Sequence, residues 1–412
     1  MRNLSPRTSN FNRKMDGKLS IFSPVSDALY DIAVIGAGPS GGYFAYLAAK
    51  QGHRVLLCDR AEFPREKTCG GGLSQKTIDL LEFDVADVVE RRIRGAWLTY
   101  RNRDTVVKDL GERSGIAVLR SRFDALIVER AQSAGAEFRS SCAFVGARRT
   151  GDLVDIATSR GSVRARYIVA ADGVFSQVRT HFFGTGVTAY APAVEAWIYV
   201  PPRVIEAFED RVVFDFGGMP RGYGWIFPKK DHLNVGVFSI FTTQEINDHL
   251  RAFIALYPGL GEPTDIKFRG YAIPLRNRKG LYQDGNVWLL GDAAGFAESF
   301  YGEGIYFGLK SATIAAAAMR EAFDRPRDMA YTRRLQQEML TELHYSALNA
   351  RLFFSFQKLG FYRMVRNPYV NRQFAELIAG GVGHRECFYR TLASLPWWVT
   401  SSRSLPVAHT TF

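Results

Sequence analysis

The chain has 412 residues, 47% of them hydrophobic and 23% charged, which excludes disorder and low complexity for most of its length. The excess of 53 Lys and Arg over 41 Asp and Glu gives a net charge of +12, which favours contact with anionic surfaces or nucleotides. The four cysteines form no Cys-x-x-Cys pair, so we expect no metal centre, no disulfide framework and a cytoplasmic location. No uncharged apolar run reaches the ~20 residues that cross a bilayer.

The predicted elements begin after a loose, Arg- and Ser-rich leader over residues 1–27. Apolar and β-branched runs predict buried strands over 30–36, 54–59, 137–145, 153–158, 166–172 and 287–292. Runs of helix formers predict helices over 42–51, 122–135, 304–324 and 328–359, the last ending at Gly360. Between 186 and 270 apolar and polar residues alternate, which is typical of an antiparallel sheet.

The first strand and the first helix enclose a Gly-x-Gly-x-x-Gly turn made of Gly36, Gly38 and Gly41. The first glycine permits a tight turn, the second lets the backbone approach a pyrophosphate, and the third lets the helix pack closely on the strand. The helix N-terminus offers free N–H groups to phosphates. Asp59 ends the next strand and suits a ribose hydroxyl. We therefore predict a dinucleotide site, which also includes Pro39, Ser40 and Arg60.

Two later strand ends also carry aspartates. Asp172 lies in Ala-Asp-Gly, and Asp292 lies in Gly-Asp-Ala-Ala ahead of a Gly-Glu-Gly-Ile turn. With the first turn, they resemble the FAD-binding fold of the para-hydroxybenzoate hydroxylase type. The resemblance implies that Asp292 binds the ribityl region, that Asp172 lies near the pyrophosphate, and that Arg120 lies near the nucleotide. A helix N-terminus also stabilises the negative charge of a reduced flavin, so we predict FAD contacts at Gly302, Gly304 and Ile305.

Two further motifs narrow the function. They read Phe-Pro-Arg-Glu-Lys-Thr-Cys-Gly-Gly-Gly-Leu over 63–73 and Gly-Tyr-Gly-Trp-Ile-Phe-Pro-Lys-Lys-Asp-His-Leu-Asn-Val-Gly over 222–236. With the Gly-Asp-Ala-Ala-Gly segment, they resemble the geranylgeranyl reductase family over residues 29–320. The resemblance implies FAD-dependent reduction of carbon–carbon double bonds in prenyl chains, with NADPH or reduced ferredoxin as electron donor. It also implies flavin contacts at Cys69, Gly70 and Gly72.

One segment departs from that family. Its members usually carry Asn-Pro before the Gly-Glu-Gly turn, whereas this chain has Glu-Ser-Phe-Tyr over 298–301. The spacing from Asp292 to Gly304 is kept, so we expect FAD binding to be retained and the pocket near the ring to differ.

A row of aromatic residues suggests the substrate pocket. Tyr223, Trp225 and Phe227 alternate along one strand and so share one of its sides, and Phe214 and Phe216 repeat the pattern on a preceding strand. They either wall a channel for an isoprenoid tail or only form the core of the sheet.

Cys69 is the candidate catalytic residue. Hydride addition to an unactivated alkene needs a proton at the adjacent carbon, and a positioned thiol, or a water held near it, can deliver that proton. The alternative is that Cys69 only lines the pocket.

The C-terminal segment carries many aromatic and basic residues. Leu348, Leu352, Phe356 and Leu359 share one helix face, which predicts a stripe packed into the core. The basic residues among the aromatics, and Trp397-Trp398 near Arg403, favour in addition a peripheral contact with a membrane surface.

Together these patterns predict an α/β protein with three parts. A Rossmann-type FAD-binding domain, a three-layer ββα unit, is expected from 28–98, 119–185 and 271–325. An antiparallel β-sheet substrate domain is expected from 99–118 and 186–270, and a helical C-terminal segment from 326–412.

The leading hypothesis is an FAD-dependent prenyl reductase at a membrane surface, acting on a prenyl lipid or another isoprenoid. A hydroxylase or halogenase of the same superfamily is the first alternative. A halogenase should carry a Trp-x-Trp-x-Ile-Pro element, whereas this strand reads Tyr-Gly-Trp-Ile-Phe-Pro. A basic nucleic-acid-binding protein is the second alternative, but the positive charge is diffuse and no nucleic-acid motif is present, so we expect no such partner.

Overall fold

A computed structural model describes residues 28–111, 115–187, 189–241, 245–260, 265–275, 280–324, 329–366, 376–377 and 380–400, with side chains as far as 393. The predicted leader therefore lies outside the described residues. The strands are β1 (Leu29–Ile35), β2 (Val55–Cys58), β3 (Gly72–Leu73), β4 (Val89–Ile93), β5 (Gly95–Tyr100), β6 (Asp104–Asp109), β7 (Gly115–Val118), β8 (Glu137–Arg139), β9 (Phe144–Thr150), β10 (Leu153–Thr158), β11 (Gly161–Ala170), β12 (Tyr190–Tyr199), β13 (Arg211–Asp215), β14 (Gly222–Pro228), β15 (His232–Ser239), β16 (Asp265–Pro274), β17 (Gln283–Asp284) and β18 (Val287–Leu289).

The α-helices are α1 (Pro39–Lys50), α2 (Gln75–Ile78), α3 (Arg120–Ser133), α4 (Gln177–Phe183), α5 (Pro202–Glu206), α6 (Ile246–Ala255), α7 (Gly291–Ala294), α8 (Gly304–Asp324), α9 (Ala330–Glu338), α10 (Leu340–Ser355), α11 (Gln357–Gly360) and α12 (His384–Thr400).

The first sheet has the order β17-β18-β11-β1-β2-β8, and its central strands are parallel. These strands are almost entirely apolar because both of their faces are covered, and α1 packs against α3 and α8 on one side. The carboxyl ends of parallel strands share one edge, so the segments that follow β1, β2, β11 and β18 meet there. The predicted Rossmann-type fold is confirmed.

The second sheet has the order β16-β12-β15-β14-β13-β5-β6 and is antiparallel except between β13 and β5. One of its faces packs on α6 through a separate apolar core, and the other carries the aromatic side chains of β13 and β14. The domain limits expected at residues 98 and 270 fall inside β5 and β16. Strand β7, expected in this sheet, pairs instead with β3 and β4 in a small third sheet.

The C-terminal helices differ from the prediction. The single helix expected over 328–359 is interrupted at Met339 and at Phe356, and a π-helical turn over Phe361–Val365 continues the chain beyond Gly360. Because the backbone leaves the helical region at Phe356, the regular spacing used to predict the apolar stripe does not hold.

The face that packs into the core is also different. The Phe353, Phe354 and Phe361 side chains are buried, and they contact Phe216 and Phe300. The predicted stripe is wrong: 38% of Leu352, 62% of Phe356 and 55% of Leu359 are exposed, and Leu348 is only half-buried. The side chains of Trp397 and Trp398, and all of Arg403, lie outside the described part of the chain. No described helix is both long and apolar enough to cross a membrane.

Candidate functional site

One cavity of about 630 Å³ runs between the first and second sheets. It extends from the glycine-rich turn at the edge of the first sheet to the aromatic face of the second. The predicted cofactor residues that line it are Gly36, Gly38, Pro39, Ser40, Asp59, Arg60, Cys69, Gly70, Gly72, Arg120, Asp172, Asp292, Gly302, Gly304 and Ile305. Gly41, which was predicted for helix packing, lies behind this lining.

The glycine-rich turn is closely packed on one side and open on the other. A Cβ on Gly36 would lie 2.3 Å from the Ala171 carbonyl oxygen, and one on Gly41 would lie 1.9 Å from the Gly36 carbonyl oxygen. In contrast, a Cβ on Gly38 would meet only an Arg65 guanidinium nitrogen at 3.5 Å. The turn therefore leaves room for a ligand beside Gly38, at the N-terminus of α1.

Three aspartates surround this turn. Asp59 accepts hydrogen bonds from the Ala37 N–H at 2.7 Å and the Ala61 N–H at 2.9 Å, so it also fixes the turn itself. Asp172 accepts N–H groups at the start of α4 through Oδ2, while its buried Oδ1 has no partner among the described residues. Burial raises the pKa of Asp292, and the nearby Lys67 and Arg120 lower it.

Cys69 lies in a loop that is tied to its surroundings on several sides. The Gly71 N–H donates to Cys69 Sγ at 3.4 Å, and the Arg120 guanidinium also contacts the thiol. Arg120 forms a two-pronged ion pair with Asp124, whose carboxylate raises the pKa of Arg120 against the opposing effect of burial. The thiol therefore faces the cavity beside a fixed positive charge.

The glycines after Cys69, which were predicted to contact the flavin, lie against a protein side chain. A Cβ on Gly70 or Gly72 would lie about 3 Å from the Phe227 ring, and a Cβ on Gly71, where φ is +67°, would lie 2.1 Å from the Val118 carbonyl oxygen. These glycines let the loop lie directly on Phe227.

The aromatic end of the cavity is lined by Phe214, Tyr223, Trp225 and Phe227, as predicted. Phe214 makes edge contacts with Tyr223 and Phe227. Phe216 is fully buried behind this wall, where it packs on α10 and the π-helical turn and does not line the cavity. The prediction that it lines the pocket is wrong, because Phe216 follows the end of β13 and is covered there by α10 and the π-helical turn.

The lining residues that the sequence reasoning missed include Lys67, Glu195, Tyr301 and His384. Burial lowers the pKa of Lys67 to about 8, and its ammonium lies over the Tyr271 ring. Lys67 lies two residues before Cys69, within the motif over 63–73, so the sequence offered a reason to include it in the site. Glu195 and His384 lie in β12 and α12, far along the chain, and no local pattern distinguishes them.

Lys229, which was not predicted as a site residue, lies next to the cavity. It is 1% exposed and donates to the Gly70 and Val118 carbonyl oxygens.

The donor set fits an extended dinucleotide cofactor. An open glycine turn, the N-termini of α1 and α8, and the unpartnered Asp172 Oδ1 lie along one cleft. By contrast, the described residues include no cluster of three or more His, Cys, Asp or Glu that could hold a metal ion.

Comparison with known proteins agrees with this geometry. Residues 29–188 match the FAD binding domain family. An uncharacterized protein of Methanosarcina barkeri is 31% identical over 345 residues, which cover 82% of this chain and 87% of that protein. The chloroplastic geranylgeranyl diphosphate reductase of Oryza sativa subsp. japonica is 31% identical over 316 residues, 70% of this chain and 66% of that protein. This chain belongs to the geranylgeranyl reductase family. It is therefore an FAD-dependent oxidoreductase.

Solved structures share the family's fold. A geranylgeranyl bacteriochlorophyll reductase-like protein of Thermoplasma acidophilum superposes with a TM-score of 0.71 at 21% identity, over 90% of this chain and 98% of that one. The flavin-dependent halogenase CmlS has a TM-score of 0.66 at 20% identity, over 80% of this chain and 66% of that one. The fold alone therefore does not separate a reductase from a halogenase.

Proposed function

We propose that the protein reduces carbon–carbon double bonds in the prenyl chain of a lipid or another isoprenoid. The observation that carries this proposal is the continuity of one cavity, which joins the glycine-rich turn, Cys69 and an aromatic chamber. Bound and reduced FAD would supply hydride to one alkene carbon. The protein must then hold the chain in place and provide a proton to the other carbon.

The aromatic chamber suits a substrate tail without charge. Phe214, Tyr223 and Trp225 are each less than 10% exposed, and Val212 and Phe238 complete the wall. Each methylene buried here contributes about 0.8 kcal/mol. A long prenyl chain can therefore bind through its tail, without a strong headgroup contact.

Cys69 is the residue that we assign to proton delivery. It lines the cavity, its thiol contacts Arg120, and the glycines that follow it lie against Phe227 of the aromatic end. In this step the S–H bond breaks, a C–H bond forms at the second alkene carbon, and water later restores the thiol.

We propose that a membrane surface delivers the substrate. Leu352 on α10, Phe356 at the break between α10 and α11, and Leu359 on α11 are exposed apolar side chains, whereas Phe353 of α10 packs behind the aromatic chamber. Residues 343–366 contain four Arg or Lys and no Asp or Glu, so this region is electrostatically suited to anionic lipid headgroups. We call Leu352, Phe356 and Leu359 the apolar face.

The electron donor is the remaining part of the proposal. We infer that NADPH or a reduced ferredoxin reduces the flavin, as the resemblance to the geranylgeranyl reductase family implies. Anaerobic mixing of the holoenzyme with each donor separately, followed by the flavin spectrum, identifies which of them acts.

The decisive experiment is anaerobic and uses one turnover. The flavin is photoreduced, geranylgeranyl compounds are added, and we expect reoxidation together with a product heavier by two hydrogens for each reduced bond. A matched saturated chain serves as control and should leave the flavin reduced. Reoxidation that occurs only with oxygen and yields a hydroxylated or halogenated product would instead establish a monooxygenase or halogenase.

A further inference from the structure

Lys229 is a buried charge that the reaction described above leaves unexplained. It follows β14 and is 1% exposed, although lysine is rarely buried without a charged partner. Its ammonium donates to the Gly70 carbonyl oxygen at 2.7 Å and to the Val118 carbonyl oxygen at 3.0 Å. Among the described residues, no carboxylate lies within ion-pair distance of it.

The position of this ammonium links it to Cys69. Gly70 directly follows Cys69, and a Cβ on Gly71 would lie 2.9 Å from Lys229 Nζ, so the lysine lies against the loop that carries the thiol. A neutral donor could satisfy the same two carbonyl oxygens without the cost of removing a charge from water. The charge itself therefore needs a role.

The titratable groups that interact with Lys229 are Cys69, Glu195, Glu90 and His232, and the charge of Lys229 lowers the pKa of His232 together with the larger effect of burial. Glu90 is already paired with Arg122 at 3.1 Å. Glu195 accepts the Trp197 ring N–H at 3.3 Å and receives the Cys69 backbone N–H, and burial raises its pKa. Burial lowers the pKa of Lys229 to about 8, so the ammonium form still predominates at neutral pH. Its positive charge therefore lies against the loop that carries Cys69.

We propose that Lys229 is a positioning residue for Cys69: it fixes the thiol-bearing loop, and its charge stabilises the thiolate left when Cys69 gives up its proton. The inference rests on the proposed function in placing Cys69 at the reacting carbons. The proton passes from sulfur to carbon, the thiolate stays beside the ammonium, and water returns a proton before the next cycle. A charge fixed in place before the reaction stabilises such a developing anion without reorganisation.

The test measures the thiol directly in the FAD-loaded protein. The rate at which iodoacetamide alkylates Cys69 at neutral pH is followed by peptide mass spectrometry in wild type and in Lys229→Met, Lys229→Gln and Lys229→Arg. We expect alkylation to slow by about tenfold in the Met and Gln variants and to stay near the wild-type rate in the Arg variant. Lys230→Met, which removes an exposed neighbouring lysine, is the matched control and should change nothing.

Each other outcome overturns the inference. A Gln variant as reactive as wild type would show that a neutral donor suffices and that the charge has no role. A wild-type Cys69 that resists alkylation would also overturn the inference, because a thiolate stabilised by Lys229 should react. If the Met variant does not retain FAD, the comparison of Gln, Arg and wild type still decides. Because alkylation needs no prenyl substrate, failure of the proposed function in the single-turnover experiment is distinguishable from failure of this inference.

Discussion

Replacing two residues of the apolar face, as Phe356→Ser together with Leu359→Ser, tests the membrane contact most sharply. Full burial of a Phe or Leu side chain is worth roughly 1.5–3 kcal/mol. Since 62% of Phe356 and 55% of Leu359 are exposed, insertion of these parts into a lipid interface would contribute about 1–2 kcal/mol each. Losing about 2–3 kcal/mol corresponds to roughly 30- to 150-fold weaker partitioning.

The assay is co-sedimentation with vesicles that contain anionic phosphatidylglycerol. Phe268→Ser with Leu281→Ser is the matched control, because these side chains are 49% and 63% exposed but lie on β16 and just before β17. We expect the control to bind vesicles like wild type, and binding of wild type to weaken at high salt because headgroup attraction is screened. If the apolar-face variant sediments like wild type, or if both double variants lose binding equally, the assigned membrane surface is incorrect.

Three further predictions concern the cleft. Gly38→Ala should fold normally but bind FAD more weakly, because the added Cβ fits in the protein but not beside a bound pyrophosphate. Gly41→Ala should lower thermal stability as well, because its Cβ would meet the Gly36 carbonyl oxygen. Flavin absorbance and thermal melting separate the two effects. Cys69→Ala should retain FAD yet slow single-turnover alkene reduction by roughly 10²-fold or more, and an unchanged rate would remove Cys69 from proton delivery. Burial and the neighbouring Lys76 lower the pKa of His384 from 6.5 to about 4, so as the pH falls the unfolded state is protonated before the folded state. The contribution of His384 to the free energy of unfolding is therefore fully present above pH 6.5 and decreases by up to about 3 kcal/mol as the pH falls to 4. Denaturant titrations of His384→Gln should show a smaller decrease in the free energy of unfolding over this pH range.

The glycine-rich turn shows what could be predicted from sequence. Strand, turn and helix are continuous in the chain, so spacing alone located Gly36, Gly38 and Gly41, and Asp59 follows at the end of the adjacent parallel strand. Asp172 and Asp292 were found for the same reason, because each ends an apolar strand of one parallel sheet. A motif of this kind is a local constraint on the backbone, and it is therefore visible in a single sequence.

The substrate end of the site depended on packing between distant segments. Phe214 and Phe216 have the same alternation in sequence, yet only the first lines the cavity, because α10 covers the end of β13. Leu352, Phe356 and Leu359 were predicted to be buried but are exposed, again because packing between distant segments decides which face of a helix is buried. The break at Phe356 rotates the following turn, and the choice of buried face depends on which helix surface meets the aromatic sheet.

The sequence alone predicted the residues of the glycine-rich turn and of the strand ends that line the cleft, since each of these motifs is short and contiguous in the chain. Only the tertiary structure decided that Lys229 is buried against the Cys69 loop, that Glu195 and His384 join the cavity, and that Phe356 is exposed. Burial and charge environment arise from contacts between residues far apart in the chain, and the local pattern of apolar and polar residues does not specify those contacts.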